Sequence, residues 1–76
     1  MIEEFYTIES RTKSGRTIYL GAEDNGGYGW KFGRVDAIWF ESREQAKNFA
    51  ENYFTKFKGY FIEPLHFDIH TLQYKN

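Results

Sequence analysis

A run of apolar residues at helical spacing, preceded by a capping signal, is the feature that most limits how this chain can fold. Ser42 and Gln45 form a capping box, in which the serine hydroxyl accepts a first-turn amide and the glutamine reaches back. The pattern predicts an amphipathic helix over residues 42–58, ended by Gly59, which needs one apolar surface to pack against. Its apolar stripe consists of Ala46, Phe49, Ala50, Tyr53, Phe54 and Phe57.

The residues before this helix alternate as short strands do, with turn residues between them. Strands are predicted over residues 5–11, 17–22 and 37–40. Between the last two of these, a further strand presents Tyr28, Trp30 and Phe32 on one face. After the helix, a strand over 60–69 has Phe61, Leu65, Phe67 and Ile69 on one side. Pro64 indicates an edge position or a bend in that strand, and residues 71–76 either add a short strand or fray.

This order of elements predicts a single α+β domain spanning residues 1–76. The expected architecture is an antiparallel sheet of four to five short strands with the helix packed on one face. A chain of 76 residues buries only enough apolar surface to offset its ordering entropy. The length therefore leaves no room for a second domain or a deep cofactor cleft.

Charge and cysteine content exclude several classes of protein. Eleven acidic and ten basic residues give a formal net charge of -1, so no overall field favours nucleic acid or an anionic membrane. The absence of cysteine excludes a disulfide scaffold and a thiolate metal site. The start of the chain lacks the pattern of a signal peptide, and no apolar stretch is long enough to span a membrane. We expect a cytoplasmic protein with no membrane partner.

Aromatic residues make up 21% of the chain, more than one sheet–helix core is expected to shelter. Phe61, Phe67 and the strand with Trp30 are assigned to that core. The rings left for the other sheet face or the rim are Phe5, Tyr19, Trp39, Tyr60 and Tyr74. Rings near arginines are the usual anchors of protein interfaces. The predicted partner-binding residues are the anchors Tyr19, Trp39 and Tyr60 and the basic turn Arg11, Lys13 and Arg16.

A second hypothesis is single-stranded nucleic-acid binding. The segment 26–32 resembles the Gly-aromatic-Gly-aromatic strand of RNA-recognition and cold-shock domains. On that resemblance the rings of Tyr28, Trp30 and Phe32 would stack on bases, while Lys31 and Arg34 would contact phosphates. The favoured interpretation of the same residues is a core-facing aromatic strand.

Candidate chemistry elsewhere is sparse. His66, Asp68 and His70 alternate along the last strand, a spacing that would allow a weak divalent-metal site, although an exposed polar strand face explains the same residues. No serine lies in a nucleophile elbow, and no phosphate-binding loop precedes the helix. We therefore expect no cofactor and no enzymatic activity.

A block of residues resembles a pattern common in small phage and prophage accessory proteins. It comprises Ala37, Phe40, Ser42, Glu44, Ala46 and Phe49-Ala50, preceded by Tyr19-Leu20-Gly21 and Gly29-Trp30. The resemblance implies a stoichiometric inhibitor of a host defence complex or enzyme, of the anti-CRISPR or antirestriction type. The sequence accordingly predicts a non-enzymatic protein-binding module whose partner is a host protein. A self-associating subunit, such as a homodimer, is a further alternative.

Overall fold

In the described part of the chain, the fold is an antiparallel five-stranded sheet with one α-helix on one face, which is α+β as predicted. The structure is a computed structural model that describes residues 2–54 and 59–75. The strands follow the spatial order β3-β2-β1-β4-β5, and all four neighbouring pairs are antiparallel. The elements are β1 (Ile2–Arg11), β2 (Thr17–Ala22), β3 (Tyr28–Lys31), a 3-10 turn (Arg34–Asp36), α1 (Arg43–Tyr53), β4 (Phe61–Asp68) and β5 (Gln73–Lys75).

The sheet side that faces α1, called the helix side here, holds the main apolar core. Ile8 and Leu20 are fully buried against Ala46 and Ala50, whose small side chains let the helix approach the strands closely. Burial of this kind stabilises the fold by about 1.5–3 kcal/mol for each large aliphatic side chain. Larger side chains complete the core from its edges: Tyr6, Trp30, Phe40, Phe49, Phe54, Tyr60 and Ile62.

The start of α1 confirms the predicted cap, and its end differs from the prediction. Ser42 Oγ accepts a hydrogen bond of 3.1 Å from the Gln45 amide. The helix ends at Tyr53, earlier than the predicted residue 58, and the cap residue Phe54 donates its N–H to Ala50 at 2.7 Å. The predicted last turn, residues 55–58, lies outside the described residues. Gly59, the predicted end of the helix, directly follows that range, and its carbonyl accepts a hydrogen bond from Ser10 Oγ.

The segment that leads into α1 fills a gap between β1 and β2. These strands pair only near their turn, from Glu9↔Tyr19 to Arg11↔Thr17. Farther along, the Ile38 amide donates to the Leu20 carbonyl at 3.0 Å. Phe40 then forms an isolated bridge to Tyr6 of β1, where the sequence predicted a strand over residues 37–40. The chain therefore passes through the sheet, with Trp39 on the side away from the helix and Phe40 on the helix side.

Strand β4 confirms the edge position predicted for Pro64. Tyr6 lies opposite Pro64, but its backbone N–H and C=O bond to Phe40, on the other flank of β1. The Pro64 nitrogen therefore faces away from β1, where a missing donor costs nothing. Strand β5 pairs with β4 only from His66 to Asp68, so it leaves Pro64 on a free edge. Of the two alternatives predicted for residues 71–76, a short strand or a frayed end, the structure shows the strand, as β5.

The orientation of β4 corrects one prediction about the core. Phe61, Leu65 and Phe67 do share a side, but they lie opposite Glu9, Phe5 and Glu3 on the side away from α1. It is Ile62 that packs against the helix-side core. Phe61 and Phe67 were therefore wrongly assigned to the space between sheet and helix. This side of the sheet, called the second side here, carries a separate set of rings.

Candidate functional site

One half of the second side is a small aromatic core, named the Trp39 cluster: Phe5, Trp39, Phe67 and Tyr74. The Trp39 ring lies 5.2 Å from Phe5, 5.3 Å from Phe67 and 5.8 Å from Tyr74 between centroids. Its indole Nε1 donates a 2.9 Å hydrogen bond to the Arg34 carbonyl. Because these rings pack on one another, they hold the connection between β3 and α1 against the sheet.

Gly21 explains how closely this connection approaches β2. A Cβ built on Gly21 would collide with the backbone carbonyl oxygen of Asp36 and come within 2.8 Å of the Lys31 side chain. Only a residue without a side chain leaves room for the 3-10 turn at this point. The turn therefore covers one part of the second side and leaves the rest open.

The open half contains four side chains in register across four strands, named the Glu9 row: Phe61, Glu9, Tyr19 and Lys31. Phe61 is 51% exposed, and Glu9 and Tyr19 are half-buried. The hydroxyl of the fully buried Thr7 donates a 2.9 Å hydrogen bond to Glu9 Oε2. Two aromatic rings thus lie on either side of one partly desolvated carboxylate.

The charges around Glu9 do not balance its burial. Burial raises the pKa of Glu9 above its ordinary value, and the charge of Glu63, which faces the same side, adds to the increase. The Thr7 hydrogen bond and the charges of Arg11 and Arg34 lower this pKa but do not outweigh burial. Lys31 is engaged by Glu23 at 3.0 Å. Glu9 is therefore a carboxylate whose charged form is poorly compensated within the fold.

The three predicted anchor rings do not share a surface. Tyr19 lies in the Glu9 row, and Trp39 is packed within its cluster. Tyr60 lies on the helix side, stacked on Phe54 at 5.5 Å at the edge of the main core, and not on the second side. The ring on the β4 side of Glu9 is that of Phe61, which the sequence analysis places in the core between sheet and helix. The alternation of Phe61 with Ile62 was the one available signal, and it favoured the wrong side.

The basic turn also divides between two sides of the sheet. Arg11 follows Glu9 by two residues in β1 and so projects from the second side. Arg16 places its guanidinium 4.1 Å from the ring centre of Phe32. Lys13 is exposed in the turn between β1 and β2. Of the three predicted steering charges, Arg11 is the one that borders the Glu9 row.

The aromatic strand β3 faces the helix, as the core-facing interpretation predicted. Tyr28 makes edge contacts with Phe49 and Tyr53, and Trp30 stacks on Phe54 with the ring planes 5° apart. Phe32, 62% exposed, is covered in part by Arg16. Lys31 and Arg34 project from the second side, toward Glu23 and Tyr74 respectively. The structure therefore does not bring the proposed base-stacking rings and phosphate-binding cations to one surface.

The metal candidates His66, Asp68 and His70 are occupied by other contacts. His66 Nε2 lies 2.7 Å from Glu4 Oε2, and Asp68 accepts a 2.9 Å hydrogen bond from the His70 amide. That bond holds the pKa of Asp68 below its ordinary value. Across residues 2–54 and 59–75, no group of three or more acidic or histidine side chains is arranged to hold a metal ion.

Glutamates also surround an open depression beside β1, of about 530 Å³. It is lined by Glu3, Glu4, Phe5, Glu41 and Ile69. Glu4 is engaged by two neighbours: its Oε1 accepts a 2.7 Å hydrogen bond from the Tyr6 hydroxyl, and His66 contacts its other oxygen. The Tyr6 bond first, and then the His66 bond, lower the pKa of Glu4. The same interaction with Glu4 raises the pKa of Tyr6.

No protein-family model matches this sequence, and comparison with curated proteins and with solved structures finds no match either. Within the described ranges, no helix has the length and apolar character required to cross a membrane. The Glu9 row combines an exposed ring, Phe61, and a half-buried one, Tyr19, with a poorly compensated carboxylate, and it is the candidate functional site.

Proposed function

We propose that this protein is a non-enzymatic binding module that captures another protein on the second side of its sheet. The observation that carries the proposal is the Glu9 row, in which a ring with half of its surface in solvent lies in register with a tyrosine. Rings of this kind bury much area at little conformational cost when a partner docks. Phe61 and Tyr19 are the proposed anchors, and Arg11 is the proposed charge at the rim.

The distribution of the two cores supports this choice of surface. The helix side is occupied by α1, and the Trp39 cluster fills one half of the second side. The other half carries the Glu9 row, in which Phe61 has half of its surface exposed. The resemblance to phage accessory proteins adds a finer proposal, that the partner is a host defence enzyme or complex inhibited by stoichiometric binding.

Affinity capture from a bacterial lysate, followed by mass spectrometry, tests the proposal. We expect the wild-type protein to retain one protein in stoichiometric amount, and the double variant Tyr19→Ala/Phe61→Ser to lose it. Circular dichroism of the double variant should match that of the wild type. The control is Leu72→Ser, which changes a 72% exposed side chain in the turn before β5 and should leave capture intact.

Equal capture by the wild type and the double variant would remove the Glu9 row as the site. Sedimentation velocity distinguishes self-association from binding of a different protein. A dimer that forms with increasing concentration, and that the double variant does not form, would assign the row to a second copy of this chain.

A further inference from the structure

Three rings of this fold are each covered by an arginine of the same chain. The distance from the guanidinium carbon to the ring centre is 4.1 Å for Arg16 and Phe32, and 4.2 Å for Arg34 and Tyr74. Arg43 lies over Tyr6 at 5.1 Å. Among residues 2–54 and 59–75, Tyr19 and Phe61 have neither an arginine over them nor another ring in contact. These two rings flank Glu9.

The carboxylates beside these rings also lack a basic partner. In the part of the chain that the structure describes, neither Glu9 nor Glu63 has a lysine or arginine nitrogen within 4.0 Å. Lys31 is held by Glu23, and Arg34 lies over Tyr74. Arg11 is the remaining cation nearby, at the exposed end of β1. The surface therefore has a deficit of positive charge at its centre.

The spacing of the strands fits a guanidinium at this point. Neighbouring strands lie about 4.8 Å apart, so Phe61 and Tyr19 stand roughly 9.6 Å apart with Glu9 between them. A cation above Glu9 would lie within the ~6 Å over which a charge is attracted to a ring face. Arginine suits this position better than lysine because its planar group stacks on rings and pairs with carboxylates through two hydrogen bonds.

We propose that the partner inserts an arginine side chain between Phe61 and Tyr19 and pairs it with Glu9 and Glu63. This inference rests on the proposed function, because it names the group by which the captured protein is recognised. Glu9 has one oxygen free of the Thr7 hydroxyl, and Glu63 is exposed on the neighbouring strand. The raised pKa of Glu9 agrees with a carboxylate that gains from an added cation.

The test uses a blocked pentapeptide, Gly-Ser-Arg-Ser-Gly, titrated into the isotope-labelled full chain and followed by NMR. We expect saturable shifts confined to the residues of the Glu9 row and Glu63. The same peptide with citrulline, which has the shape of arginine without its charge, should bind at least about tenfold more weakly, and the lysine peptide should be intermediate. Glu9→Gln/Glu63→Gln should reduce arginine-peptide affinity by about tenfold or more, whereas Glu51→Gln, on the exposed face of α1, should not.

Equal binding of the citrulline and arginine peptides, or shifts that appear around Glu3 and Glu41 instead, would overturn the inference. An absence of saturable shifts would also overturn it. The two proposals fail separately: a captured protein that is lost with Tyr19→Ala/Phe61→Ser but retained by Glu9→Gln/Glu63→Gln would support the binding surface and overturn the arginine inference.

Discussion

Tyr6 and Phe40 exchange two backbone hydrogen bonds, each 2.8 Å long, at the point where β1 and β2 part. The bridge, together with the Ile38 bond to Leu20, closes a gap in the sheet that would otherwise expose backbone groups. We expect the amides of Tyr6, Ile38 and Phe40 to exchange with solvent as slowly as those of the central strands. Hydrogen exchange followed by NMR measures this, with the exposed Val35 amide as a fast internal reference. Fast exchange at Phe40 would contradict the insertion.

Gly21→Ala should lower the free energy of unfolding by about 1–3 kcal/mol, because the new methyl group would push the Asp36 carbonyl away from β2. Urea denaturation measures the change. Gly33→Ala is the matched control: a Cβ there would meet Val35 at 3.7 Å, an ordinary contact, so stability should change little. Equal effects of the two substitutions would show that the close approach of the β3–α1 connection to β2 does not depend on glycine at position 21.

Leu72→Asn should stabilise the protein by about 0.5–1 kcal/mol. Leu72 has a φ of 57°, in the left-handed region where asparagine is better tolerated than leucine, and its side chain is 72% exposed. Leu72→Ala removes the same exposed side chain but lacks the short polar group with which asparagine hydrogen-bonds the local backbone in this conformation, so it should gain little. Thermal unfolding of the two variants compares them directly, and a larger gain from alanine would mean that the turn is not strained.

Acid should weaken the fold partly through Glu4. The Tyr6 hydroxyl and His66 hold the pKa of Glu4 below its ordinary value of 4.5. The stabilisation is therefore fully present above 4.5 and is lost as the pH falls through the lower pKa of the folded state. We expect Glu4→Gln to show a smaller decrease in unfolding free energy on acidification than the wild type. Glu51→Gln, exposed on α1, should follow the wild-type curve; a parallel curve for Glu4→Gln would exclude this contribution.

Titration with short single-stranded oligonucleotides should leave tryptophan fluorescence unchanged. Trp30 is stacked on Phe54 and Trp39 lies within its cluster, so neither ring is presented for base stacking. Quenching that weakens with added salt would restore the nucleic-acid hypothesis.

Local signals in the sequence predicted much of this fold. The bounds of β2 match the expected 17–22, because its alternating residues lie between two turns. Gly15 and Gly26 do adopt the positive φ, 88° and 90°, that hairpin turns require. Ser42 begins the helix as its side-chain chemistry dictates.

Local sequence patterns did not predict which side of β4 faces the helix. The set with Phe61, Leu65 and Phe67 is the more apolar of its two alternating sets, whereas the set with Ile62 also contains His66 and Asp68, so alternation alone favours the wrong side. Residues 38–40 determine which side of β4 faces the helix. They pass between β1 and β2 and place Trp39 on the second side, where a second aromatic core forms. Such a passage leaves no periodic signal, so the candidate site was predicted at Tyr19 and Arg11 but missed at Phe61 and Glu9.

The pairing of β1 with β4 has a consequence for biosynthesis. Ile2 pairs with Asp68 and Glu9 with Phe61, so one flank of β1 finds its neighbour only after residues 61–68 have left the ribosome. Until then the growing polypeptide presents an open strand edge of ten residues, which invites pairing with other nascent chains. Shielding of this edge during synthesis, for example by a chaperone, would determine how much of this protein reaches its native state.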